Sequence, residues 1–298
     1  MKDLWNLKFK PMLLDEIDKP FDSKDYIYEM KYDGIRALIF ADPKEIRIIT
    51  RNNNDVTYLY PELKSICKLV KVKTIFDGEI ICVYDGKPSF SKLQERSHLK
   101  SKEKIYKQID NNPVIYICFD ILFQDKDLIN LDLLSRKKIL EKHKNNDYFI
   151  ITKYISEKGT SLFKEIKKLD IEGIVAKKKD SIYEINTRNS SWIKIKNFKE
   201  KTFFIGGFSY KKDSYVFSVI LGEYIDDLLS FVGKAFISKK NKLFIQLKKQ
   251  RQIKSQFVNY KEENIIYVKP IYKCKIKFME RTNFNHLRQP FYSGSEDE

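Results

Sequence analysis

An α+β chain in two domains is the fold class this sequence predicts. Three observations carry it. Stretches of strand length with period-two alternation recur between Tyr26 and Lys196, patterns of helical spacing separate several of them, and beyond Lys201 short glycine-punctuated strands take over. At 298 residues there is room for two domains, and 42% hydrophobic content with 14% aromatics is enough to pack both.

The stretch Glu29-Met30-Lys31-Tyr32-Asp33-Gly34-Ile35-Arg36 reads as a strand running into a turn at Asp33-Gly34. Alternation sets Glu29 and Lys31 on one face. A lysine is a nucleophile only when neutral, so a reactive role for Lys31 requires a pocket shielded from water and rich in neighbouring cations. Without such a pocket it is a solvated strand lysine. Ala37–Phe40 and Ile46–Thr50 form a hairpin about Asp42-Pro43, leaving Arg51 at a strand exit from which a guanidinium can reach a phosphate or a ribose. After Pro61, the spacing of Leu63, Ile66, Cys67 and Val70 is that of an amphipathic helix.

Ile75–Val83 is strand-like and places Asp77 and Glu79 on one face, where burial demands a cation, a metal or a ligand hydroxyl. A helix is expected over Ser91–Leu99. Val114–Phe123 is an apolar strand broken only by Asp120, with Phe119 facing the other way, free to stack on a base or to join the core. A basic helix over Leu134–His143 and a second helix using Leu162, Phe163, Ile166 and Leu169 follow. Glu172 opens the next strand. Trp192, Lys194 and Lys196 share a strand face, and two lysines so placed need an anion between or above them. Asn197–Lys201 reads as a linker, so the domains are expected at 1–198 and 199–292. In the second, strands near Thr202–Phe208, Tyr215–Leu221, Leu228–Phe236 and Ile265–Met279, with a helix near Leu243–Gln250, suggest a small OB-type barrel. The acidic tail 293–298 is expected to be disordered.

The net charge of +16 and pI near 9.4 favour a polyanionic partner such as nucleic acid. The N-terminus has no apolar core of signal-peptide length, no run approaches a membrane span, and the four cysteines are scattered singly, so neither a membrane location nor a structural zinc site is expected.

Taken in order, Lys31-Tyr32-Asp33-Gly34-Ile35-Arg36, Thr50-Arg51, Phe76-Asp77-Gly78-Glu79-Ile80, Cys118-Phe119-Asp120, Glu172-Gly173-Ile174-Val175 and Trp192-Ile193-Lys194-Ile195-Lys196 resemble the motif series of ATP-dependent DNA ligases, in the covalent nucleotidyltransferase superfamily. Pro88-Ser89-Phe90 with Leu93-Gln94, and the closing Leu287-Arg288-Gln289-Pro290-Phe291, narrow the resemblance to the bacterial end-joining ligases that work with Ku; Gln289 stands where that group's pattern has histidine.

The resemblance implies a nucleotidyltransferase (adenylation) domain of antiparallel sheets and flanking helices followed by the OB-fold barrel. It also implies a monomeric, cytoplasmic, nucleoid-associated bacterial enzyme that seals 5′-phosphate/3′-hydroxyl nicks in double-stranded DNA through lysyl-AMP, using ATP and Mg²⁺ (or Mn²⁺), with Ku a possible partner. Carried over, Lys31 takes AMP, Glu29 reads the adenine amino group, Phe119 stacks on the base, and Arg36 and Glu79 hold the ribose. Lys194 and Lys196 grip the α-phosphate. Glu172, with Asp33 or Glu79, positions the metal, Arg51 serves the nick phosphates, and Arg288 orients pyrophosphate. RNA ligases and GTP-using capping guanylyltransferases share the lysine strategy. A non-catalytic basic nucleic-acid-binding module is the reading of another class.

Overall fold

In the computed structural model, which describes residues 3–295, the alternating stretches become two sheets in a first unit that ends at Asn197. In chain order this unit contains β1 (Leu13–Glu16), β2 (Ser23–Lys31), β3 (Ile35–Ala41), β4 (Ile46–Thr50), β5 (Thr74–Tyr84), β6 (Lys87–Pro88), helices α1 (Phe90–Ser97) and α2 (Lys102–Asn111), then β7 (Val114–Gln124), α3 (Leu133–Leu140), β8 (Phe149–Ile151), β9 (Tyr154–Glu157), α4 (Gly159–Lys168), β10 (Gly173–Lys178) and β11 (Arg188–Lys196). One sheet has the order β1-β11-β10-β2-β9, the other β4-β3-β5-β7-β8 with β6 on β5.

The sheets are mixed rather than antiparallel throughout, because β1 runs parallel to β11 and β8 parallel to β7. Parallel neighbours need a long connection, and α3 lies within the one between β7 and β8.

Period two decides which residues meet. On β3, Ala37, Ile39 and Ala41 join the core beneath the Pro61–Leu69 stretch, while Leu38 and Phe40 turn to a second core that also holds Ile27 of β2 and Trp192 of β11. That second core packs the two sheets face to face. The outer face of the other sheet, through Tyr28, Ile174 and Ile195, packs on Ile166 of α4. The stretch after Pro61 is helical as expected, though of 3-10 type, and α2 is an addition that the sequence reading did not anticipate.

The basic helix is α3, and its Arg136 and Lys137 are buried. Arg136 donates from Nε and Nη2 to the two oxygens of Asp120 at 2.9 Å each and from Nη1 to the Ser181 carbonyl at 3.1 Å. The isolated acid in the apolar strand β7 is thereby neutralised.

The second unit starts at Phe198. Its elements are β12 (Lys199–Tyr210), β13 (Val216–Ile225), β14 (Leu228–Ser238), α5 (Lys242–Lys249), β15 (Ile266–Tyr267), β16 (Lys273–Phe278) and β17 (Phe291–Ser295), in the sheet order β14-β13-β12-β16-β17 with β15 on β12. The presumed linker is therefore already strand from Lys199. The single strand expected over Ile265–Met279 is split around Pro270, which has no N–H for a ladder. Ser293–Ser295 continue β17 against β16, so the expected disorder does not hold there, and residues 296–298 lie outside the described residues. Among the described residues no ladder joins β14 to β17, so the sheet is not a closed barrel.

Because Asp120 is fully buried, losing its partner leaves an uncompensated charge. Arg136→Met is expected to lower the unfolding free energy of the first unit by roughly 3–5 kcal/mol, read as a lower urea midpoint, and Asp120→Leu added to it should restore much of the loss.

Candidate active site

Between the two sheets, inward charged side chains gather with several apolar and aromatic ones into one cleft. Lys31 and Glu29 come from β2, Arg36 from β3, Glu79 from β5, Phe119 from β7, Lys177 from β10, and Leu14 and Trp192 from β1 and β11. Register explains the assembly: Gly173 of β10 lies opposite both Lys31 and Lys196, and Val175 lies opposite both Glu29 and Lys194. Gly173 is required by closeness, since a Cβ there would stand 2.2 Å from the Ile195 carbonyl oxygen. Gly34 is equally constrained, at 2.2 Å from the carbonyl oxygen of Ile80.

The Lys31 Nζ donates to Glu172 Oε2 at 2.6 Å, across from β2 to the residue just before β10. Its nearest charged neighbour is thus a carboxylate, where the sequence reading expected cations. Arg36 lies opposite Glu79 in the ladder, yet its guanidinium takes Asp77, with Nε to Oδ1 at 3.1 Å and Nη2 to Oδ2 at 2.7 Å. Tyr183 donates to the same carboxylate at 2.6 Å. Burial first, and then the Asp77 charge, push the Tyr183 phenol well above its ordinary range, which keeps it a donor. Asp77 has therefore met the cation its position demanded.

Glu79 is different. Burial raises its carboxyl from 4.5 to about 8, with Lys31 and Arg36 opposing the rise and Glu172 and Asp77 adding to it. A carboxyl so raised holds its proton near neutral pH.

Glu29 is buried between two buried lysines. Its Oε2 is 2.8 Å from Lys177 Nζ, and its Oε1 pairs with Lys137. Burial lowers Lys177 from 10.5 to about 8 against the pull of Glu29. The Lys177 ammonium lies 4.3 Å from the centroid of the Phe119 ring and 3.9 Å from that of Trp192, so cation-π contact fixes it under the aromatic wall. Lys137 and Lys177 carried no motif, although Lys177 is two positions from Val175 on a strand face that alternation makes inward. Lys194 and Lys196 face the cleft opposite Glu16 of β1, at 2.9 and 3.6 Å. Glu16 was also missed, because nothing local links it to β11.

Two predicted residues lie elsewhere. Arg51 follows β4 and lines a separate basic notch with Lys10, Asn186 and Arg188. Arg288 belongs to the second unit, where its Nη1 donates to Glu280 at 3.0 Å. Asp33 sits in the turn between β2 and β3. Among the described residues no three His, Cys, Asp or Glu side chains gather as a ready-made metal site.

A cleft between two mixed sheets, in which a lysine pairs with a carboxylate beside further lysines and an aromatic wall, is that of a nucleotidyltransferase-type domain. The chain belongs to the ATP-dependent DNA ligase family: residues 11–196 match the model of the ATP dependent DNA ligase domain. It is 29% identical over 287 residues to the SPbeta prophage-derived DNA ligase-like protein LigB of Bacillus subtilis, covering 95% of this chain and 97% of that protein. To the multifunctional non-homologous end joining protein LigD of Mycolicibacterium smegmatis it is 30% identical over 312 residues, covering 99% of this chain but 39% of that protein. Among solved structures it is similar to the ligase domain of M. tuberculosis LigD, with TM-score 0.59, 25% identity and coverage of 100% of this chain and 97% of that one. It also matches a mycobacterial DNA ligase D complexed with ATP and MES, with TM-score 0.60, 25% identity and coverage of 99% and 96%.

The raised Glu79 carboxyl has a stability consequence of definite sign. Below 4.5 both folded and unfolded chains hold the proton and its stabilising contribution is complete; between 4.5 and about 8 only the folded chain holds it, so the contribution is lost as pH rises to about 8. Melting temperatures followed across that range should fall by a component that Glu79→Gln abolishes.

Proposed function

We propose that Lys31 is the nucleophile of an adenylyl transfer, attacking the α-phosphorus of ATP to form a lysyl-AMP phosphoramidate with release of pyrophosphate. The AMP then passes to the 5′-phosphate of a DNA nick, and the 3′-hydroxyl displaces it to seal the strand. The observation that carries this reading is the convergence of Lys31, Glu172, Glu79, Arg36 and Lys177 in one cleft in a chain of the ATP-dependent DNA ligase family.

Displacement at phosphorus depends on alignment and neutralisation of charge. Lys194 and Lys196 supply fixed cations for the α-phosphate. Phe119 offers the base a face, Glu29 an acceptor for the adenine amino group, and Arg36, held by Asp77 and Tyr183, a donor toward the ribose, with Glu79 as the second ribose partner. The proton that Lys31 shares with Glu172 must leave before attack, and the carboxylate 2.6 Å away is placed to take it.

Glu172, with help from Asp33 or from Glu79, which would give up its proton as the ion binds, suits a magnesium ion, or manganese, because such an ion takes one or two carboxylates and completes its shell with phosphate oxygens and water. That ion would neutralise charge developing on the phosphates. We also propose that the second unit is an OB-type module: setting aside the two-residue β15, its order 3-2-1-4-5 with a helix after the third strand fits a partly open barrel, and Leu287 N donates to Val232 O at 2.6 Å beside the seam between β14 and β17. Arg288 of that unit is the residue we assign to pyrophosphate. The 30% identity to LigD supports a role in end joining on nicked or broken chromosomal DNA in the cytoplasm, the setting in which Ku would be the partner.

Incubation with α-labelled ATP and magnesium is expected to leave acid-labile AMP on the protein, and Lys31→Ala to abolish the label; a Lys31→Ala protein that still takes up label removes Lys31 from the role. Lys10, Arg51 and Arg188 are proposed to hold a nick phosphate. Arg51→Ala should weaken binding to nicked duplex and flatten the plot of log affinity against log salt by roughly one unit of slope, because one phosphate contact and its released counterion are lost.

A further inference from the structure

Two lysines on one strand face require an anion, and the protein supplies one of its own. Glu16 spans the pair, with Oε2 at 2.9 Å from Lys194 Nζ and Oε1 at 3.6 Å from Lys196 Nζ. One oxygen per ammonium group is the arrangement a phosphate would take between the same lysines. The placement depends on a break in register. Leu14 lies opposite Asn189, and a regular parallel ladder would put Glu16 opposite Ser191; the irregularity after Leu14 carries it on to Lys194.

The contact is also built to exchange. The Glu16 side chain is 39% exposed, against 23% and 15% for the lysines, so the carboxylate enters from the mouth of the cleft and can leave toward water while the ammonium groups stay. An ion pair with one partner so exposed is weak, and a charge-dense phosphate displaces it easily. Partial burial works against ionisation of Glu16, but the two lysines hold its carboxyl below the ordinary range, so it stays an anion whenever the nucleotide does not occupy them.

We propose that Glu16 is a positioning residue that stands in for the nucleotide's α-phosphate on Lys194 and Lys196. It holds the two lysines side by side before ATP enters, yields its place to the phosphate, and by returning to the lysines hastens the departure of AMP after sealing. This rests on the reading of Lys194 and Lys196 as the α-phosphate site.

The test is calorimetric titration of AMP and of adenosine into the full chain after pyrophosphate and magnesium have stripped any bound adenylate. For Glu16→Gln, which keeps the side chain's size, the AMP dissociation constant should fall about three- to tenfold, as expected for removing a competitor held by one or two exposed ion pairs. Adenosine, lacking the phosphate, should bind as it does to the unaltered protein. In sealing assays the same variant should show a lower KM for ATP together with stronger inhibition by AMP. AMP binding that is unchanged or weaker in Glu16→Gln overturns the proposal, as does a gain shared equally by adenosine. Lys194→Ala separates the two layers of the argument: if it binds AMP as tightly as the unaltered protein, the phosphate reading itself fails and the exchange with it. If it loses AMP affinity while Glu16→Gln gains none, only the role of Glu16 fails.

Discussion

A charge enclosed between two packed sheets must meet its opposite, and the first unit is arranged around that requirement. Arg136 closes on Asp120, Arg36 on Asp77, Lys137 and Lys177 on Glu29, Lys31 on Glu172, and Lys194 and Lys196 on Glu16. Unpaired, each fully buried member, Arg136, Asp120, Asp77, Glu29, Lys137 and Lys177, would cost several kcal/mol, a large part of the margin by which a domain is stable, whereas the exposed Glu16 would lose little.

Exposure separates the pairs by what they can do. Arg136 and Asp120 are sealed at 0% exposure, so that pair can only hold β7 and α3 together. Lys31 at 21% and Glu16 at 39% reach solvent, and a ligand can replace one member of each pair without stranding the other. The cleft is thus a set of ion pairs graded from permanent to exchangeable, and a nucleotide with its own negative charge would enter by partner exchange. Its aromatic wall has a parallel logic: Phe119 and Trp192 are fixed by Arg36 and Lys177 lying against them, so a base would meet rings that are already oriented.

Local pattern reached a long way into this site. Period-two alternation sufficed to put Glu29 with Lys31, Asp77 with Glu79, and Lys194 with Lys196, because the side-chain direction of a strand is a property of neighbouring residues. It also indicated that Asp77 and Glu79, if buried, needed a cation, a metal or a ligand hydroxyl and that the two lysines needed an anion. It failed where the partner is far away in the chain. Arg36 and Asp77 are 41 residues apart, and which acid the guanidinium takes was decided by side-chain reach across the β3–β5 ladder, not by register, which points to Glu79. That two basic side chains of α3 are buried was not legible locally, because their burial depends on Asp120 and Glu29 from two different strands.

By itself, then, the sequence determined most of the longer strands and their inward faces, Lys31 with its companion acids, the family, and the change of architecture near residue 198. Those features follow from backbone geometry and from short motifs whose members are close in the chain. Only the tertiary structure decided that Lys31 faces a carboxylate, that Glu16 sits on the paired lysines, that two ladders are parallel, and that the second sheet stays open between β14 and β17 among the described residues. The reason is common to all four. Each depends on which distant strand lies alongside and in what register, and that is fixed by packing two faces of the molecule together, not by any run of adjacent residues.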